Sequence, residues 1–117
     1  MTQPEPVDEP VTFVNIFEIP AEQVDDFIAA WRARSRLMAD APGHRGAELL
    51  RATSPTAEFQ LINVSRWDSM AAHEAATARP QYQQELQAFT SRPDIDMTPH
   101  RGFYRVAAIT PGHAVRD

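Results

Sequence analysis

Apolar and polar positions alternate with a period of two from Val11 to Ile19, placing Val11, Phe13, Asn15, Phe17 and Ile19 on one face. Together with the β-branched and aromatic content, this predicts a first strand. Pro20 ends it and suits a first helical turn. Over residues 21–40 the period changes: Val24, Phe27, Ile28, Trp31 and Met38 recur at helical spacings, with Asp25, Asp26, Arg32 and Arg36 on the opposite face, the stripe of an amphipathic helix. Pro42-Gly43 closes this helix, and residues 45–52 read as a second strand. After a turn at 53–58, residues 59–67 form a third strand: Phe59, Leu61, Asn63, Ser65 and Trp67 share one face, and Gln60, Ile62, Val64 and Arg66 the other. Asp68 or Ser69 caps a second helix over 70–78, which breaks at Arg79-Pro80 and resumes over 81–89. Residues 91–99 are a loop, and 100–110 a last strand.

The order β-α-β-β-α-β is that of a ferredoxin-like α+β sandwich, an antiparallel sheet with its helices on one face. The other face would leave Ile62, Val64, Tyr104, Val106 and Ala108 in water, so the pattern calls for a partner, most simply a homodimer packed sheet on sheet. Residues 1–10, with three prolines and three carboxylates, read as a disordered tail; residues 11–110 are the domain and 111–117 a second tail.

A chain of 117 residues is one domain with one core. It has no cysteine, which excludes a disulfide framework, a thiolate nucleophile and thiolate-held metals. The net charge of −5 and the lack of a basic run argue against binding to nucleic acid or an anionic membrane surface. No apolar run approaches a membrane span, and the acidic, proline-rich start is unlike a signal peptide, so the chain reads as cytoplasmic.

Two asparagines interrupt apolar strand faces: Asn15 in FVNIF and Asn63 in LINVSRW. Asn is depleted from strand interiors, and a buried unpaired amide costs roughly 1–3 kcal/mol. Two readings follow: a buried amide network that fixes strand register, or a pair of amides facing a polar ligand in a cavity between sheet and helices. Trp67, four residues after Asn63 on the same face, brings an indole N–H to the same side. Phe13, Phe17, Phe27 and Trp31 fit a core and would equally line a flat apolar pocket for an aromatic ligand. Among the histidines, only His73 falls on a helix over this sheet face, which makes it the candidate proton acceptor. No metal-ligand spacing, phosphate loop or serine-hydrolase elbow is present, so no metal is expected.

VTFVNIF in the first strand, APGH after the first helix and NVSRWDS at the end of the third strand together resemble the antibiotic biosynthesis monooxygenase family, across roughly residues 11–110. The resemblance implies a dimeric α+β barrel and, in the most similar branch, a cofactor-independent monooxygenase that oxidises an anthrone-type aromatic polyketide to a quinone with molecular oxygen as co-substrate. It implies catalytic roles for Asn63 and Trp67 and a small aromatic substrate. His73 replaces a tyrosine of that branch, and Gln87 falls where the branch carries an arginine, leaving Arg51, Arg66 and Arg105 as candidates to supply the missing cation. A haem-degrading branch fits less well, because its axial histidine aligns with Leu86. Rival readings are a non-oxidative polyketide cyclase or isomerase and a non-catalytic binding protein.

Overall fold

In a computed structural model, which describes residues 9–113, the alternating segments pair into one four-stranded antiparallel sheet. The strands are β1 (Val11–Glu18), β2 (His44–Arg51), β3 (Leu61–Trp67) and β4 (Thr98–Tyr104), in the order β2-β3-β1-β4. Between them run α1 (Val24–Arg36), entered through a 3₁₀ turn at Ala21–Gln23, α2 (Met70–Thr77) and α3 (Pro80–Thr90). This is the ferredoxin-like α+β architecture. The tail expected over residues 1–10 lies largely outside the described residues, as do residues 114–117 of the second tail.

Local chemistry sets the boundaries. Ser69 caps α2, its side chain accepting from the Ala72 N–H at 3.1 Å. Pro80 occupies the first turn of α3, so the second helical segment divides in two. Arg79 at this break donates to the Leu37 carbonyl at 3.2 Å, tying the corner to the end of α1. Gly43, at φ +83°, makes the turn into β2, and its carbonyl accepts from the Asp68 N–H at 2.8 Å. The left-handed Gly46, φ +117°, sits in the register shift between His44 and Ala47.

The last strand is shorter than its pattern suggested. Thr12 pairs with Tyr104 and β1 begins one residue earlier, opposite Arg105, so residues beyond Arg105 have no strand among the described residues to pair with. Val106 and Ile109 there are exposed, at 70% and 78%.

Alternate positions along the two central strands divide the helix-facing side of the sheet into three zones. Phe17 and Leu61 join Val24, Phe27 and Phe89 in one buried cluster. Val11 and Trp67 join Met38, Ala41 and Ala76 in another. Between them lie Phe13, Asn15, Asn63 and Ser65, with Asn15 directly opposite Asn63 across β1 and β3.

Candidate functional site

The middle zone is the floor of a cavity of about 600 Å³, within the ~300–1,000 Å³ usual for small-molecule sites. Phe13, Asn15, Phe17 and Asn63 rise from the sheet, α1 contributes Trp31 and Arg34, α2 His73, and α3 Tyr82 and Gln87. Of the catalytic and substrate-contacting residues expected from the sequence, Asn15, Asn63, His73, Phe13, Phe17, Trp31 and Gln87 line this cavity, whereas Trp67, Phe27 and the three candidate arginines do not.

The two amides are not bonded to each other. The Trp31 indole N–H donates to Asn63 Oδ1 at 3.0 Å, so Asn63, only 8% exposed, is held by its acceptor end and keeps its NH₂ group for donation. Asn15 Oδ1 is buried without a partner among the described residues. It is an unsatisfied acceptor beneath the cavity floor that Asn15 helps to form.

Trp67 departs from the expectation that its indole joins Asn63. Its N–H donates to Ser65 Oγ at 3.1 Å. The reason is distance along the strand: at ~3.3 Å per residue, Ser65 is the near same-face neighbour and Asn63 lies twice as far away. Trp67 instead packs edge-on against His73, ring centroids 5.3 Å apart, and against His44 at 4.9 Å. Phe27 is fully buried behind the wall, 4.5 Å from the Phe17 ring and 5.3 Å from Phe89. It supports the cavity without lining it.

His73 is boxed by Trp67, by Phe13 at 5.0 Å and by Phe103 at 5.0 Å. Burial lowers its pKa from the ordinary 6.5, with Glu74 opposing the shift. The imidazole is therefore neutral at pH 7 and able to accept a proton.

Gln87 lines the cavity where the resemblance implies an arginine, and the arginine that the structure brings to the cavity is on α1. Arg51 pairs with Asp25 at 3.0 Å, Arg66 with Glu48 at 3.7 Å and Arg105 with Glu9, and none of the three lines the cavity. Arg34 does, and it is buried. The signal was present in the sequence: the α1 stripe skips from Trp31 to Met38, and Arg34 fills the gap at helical spacing. Tyr82 was likewise missed, being one aromatic in the polar run QYQQ. Among the described residues no group of three or more His, Asp or Glu is placed to hold a metal ion, and no helix is long and apolar enough to cross a membrane.

A helix-covered sheet with an amide-floored, aromatic-walled cavity is the frame in which the comparisons fall. The family model for antibiotic biosynthesis monooxygenase matches residues 10–88, and the chain belongs to that family. Among solved structures it is similar to a candidate monooxygenase from Shewanella loihica PV-4, at 31% identity and TM-score 0.69, covering 86% of this chain and 97% of that one. It also shares its fold with SnoaB, a cofactor-independent oxygenase from Streptomyces nogalater, at 24% identity and TM-score 0.71, covering 89% and 99%. A dimeric ferredoxin-like protein of unknown function from Bacteroides fragilis has the same fold at 12% identity and TM-score 0.66, covering 86% and 99%. No curated protein sequence matches the chain.

Proposed function

We propose that this protein is a cofactor-independent monooxygenase that converts an anthrone-type aromatic polyketide to the quinone. The observation that carries this reading is the Trp31–Asn63 hydrogen bond, which fixes an amide donor at the floor of an aromatic cavity beside a neutral, half-buried imidazole. The flat substrate lies against Phe13 and Phe17. His73 takes the acidic benzylic proton. The Asn63 NH₂ donates to the oxyanion as charge moves onto the carbonyl oxygen, a preorganised donor of the kind whose loss costs 10²–10³ in rate. The electron-rich anion passes one electron to O₂, and the organic radical and superoxide recombine to a peroxide. Loss of water then leaves the new carbonyl: CH₂ plus O₂ gives C=O plus H₂O. The same proposal includes a homodimer with the uncovered sheet faces packed together.

The test is O₂ uptake and quinone absorbance with metal-stripped protein and dithranol. Uptake above the spontaneous rate that falls by about 10²-fold or more in Asn63→Ala supports the reading. Binding of the anthrone without uptake assigns the cavity to a non-oxidative cyclase or isomerase.

A further inference from the structure

The proposed chemistry leaves Arg34 without a task, yet Arg34 is a buried cation in the cavity wall. It is 8% exposed and forms no ion pair with a described carboxylate, and its Nη1 is buried with no hydrogen-bond partner among the described residues. A guanidinium does not escape this cost by deprotonating at any physiological pH. The Tyr82 hydroxyl and the Glu85 carboxylate offset the desolvation only in part, and the net effect of burial is still to lower its pKa.

The packing defines what Arg34 can bind. Phe89 lies 5.0 Å and Phe27 6.0 Å from its guanidinium carbon, and with the two rings only 5.3 Å from each other both lie on one side of it, which leaves the side that lines the cavity for a ligand. One helical turn back on the same face of α1, ~4.5 Å along the axis, Trp31 holds Asn63. A ligand anchored at Arg34 therefore spans toward the amide and imidazole at which the reacting carbon must lie. One buried monocation balances one negative charge, and a guanidinium edge matches the two oxygens of a carboxylate. A phosphate dianion would leave an excess negative charge inside aromatic walls.

Resting on the oxygenase reading above, we propose that Arg34 is a carboxylate subsite, and that the substrate is an aromatic polyketide acid whose carboxylate anchors it with the reacting ring carbon turned toward Asn63 and His73. Binding and turnover are separable, so the two readings fail separately. Calorimetric titration of anthraquinone-2-carboxylate and anthraquinone-2-carboxamide, neither of which is oxidised further, reads the subsite alone. Wild type is expected to bind the acid at least about tenfold more tightly than the amide, as for a charge-assisted hydrogen bond in a desolvated site. Arg34→Gln should bring the two ligands within about twofold by weakening the acid, and Arg34→Lys should retain part of the preference. Arg34→Met, which keeps the packing on Phe89, serves where Arg34→Gln does not fold by circular dichroism. Equal affinities in wild type overturn the proposal, as does a preference that survives loss of the guanidinium. An acid preference that Arg34→Gln abolishes, in a protein showing no O₂ uptake with dithranol, keeps the subsite and removes the oxygenase.

Discussion

At the scale of single residues, the proposed reaction rests on one donor held by another: Trp31 donates to Asn63 Oδ1, which in that proposal makes Trp31 a positioning residue and Asn63 the group that meets the substrate. Trp31→Phe keeps an aromatic wall and frees the amide to rotate. The expected result is a fall of about tenfold in kcat, smaller than the 10²–10³ of losing the donor itself, with KM changed less than kcat and the melting temperature close to wild type. A Trp31→Phe enzyme with wild-type kcat would show that the amide needs no such support. His73 makes a second prediction, on pH. Its folded pKa, like that of His44, is lowered from 6.5 by burial. Between 6.5 and the lower folded value the unfolded chain binds more protons, so stability is full above about pH 6.5 and is lost as pH falls through the folded pKa. Melting temperature followed from pH 8 to 5 should drop on the acid side, and His73→Gln should flatten part of that drop while abolishing proton abstraction. An unchanged acid slope in the variant would mean that His73 is not the group being protonated. Asn63 and His73 were legible in the sequence because their residue types are out of place on strand or helix faces. Arg34 was not, because an arginine on a helix reads as solvated until the stripe it interrupts is seen to be packed. The direction of the Trp67 indole was not legible either, because it depends on competition between two acceptors in space.

At the scale of elements, the period of two marked β1 and β3 and the helical stripe marked α1, because each of these buries one face and therefore shows its period, while cap and proline signals marked α2 and α3. The missing piece was the end of β4: pairing stops where the neighbouring strand stops, and one strand's own pattern does not record its neighbour's length. Turn geometry is the least forgiving part of the layout. Gly43 combines φ +83° with a position where an added Cβ would sit 2.6 Å from Ala72 Cβ. An alanine there meets both a left-handed backbone and the face of α2, the helix that carries His73. Gly43→Ala is expected to destabilise the protein by about 2 kcal/mol or more, adding left-handed strain to overpacking, as read by urea unfolding. It should also reduce turnover in the fraction that stays folded, by shifting α2. The natural control is Gly112→Ala, where an added Cβ meets nothing within 4 Å and stability should not move. If both variants unfold at the same urea concentration, the close approach at Gly43 is not tight enough to matter.

At the scale of the whole molecule, the sheet has one face covered by helices and one bare. Val14 lies opposite Val64, Ile16 opposite Ile62 and Ile62 opposite Leu50, forming an apolar centre on the bare side of β1, β2 and β3. Leu50 is 47% exposed and Tyr104 57%. The charges on the same side are paired around this centre, Arg66 with Glu48 and His100 with Glu18. An apolar middle inside a polar rim is the anatomy of a protein interface. The proposed dimer would bury this patch against its own copy, and a stable interface of this kind removes about 800 Å² from each partner. The two-fold axis makes one substitution count twice. Ile62→Glu places a carboxylate at the centre of the patch on both copies, where it meets apolar surface and its own symmetry mate without a cation. Wild type should sediment at twice the 13.1 kDa chain mass and Ile62→Glu at the chain mass, with helix and sheet content retained by circular dichroism because residue 62 points away from the core. A wild-type chain that sediments as a monomer at tens of micromolar would overturn the dimer. It would leave the cavity reading untouched, since the residues on the cavity floor, Phe13, Asn15 and Asn63, lie on the opposite side of the sheet.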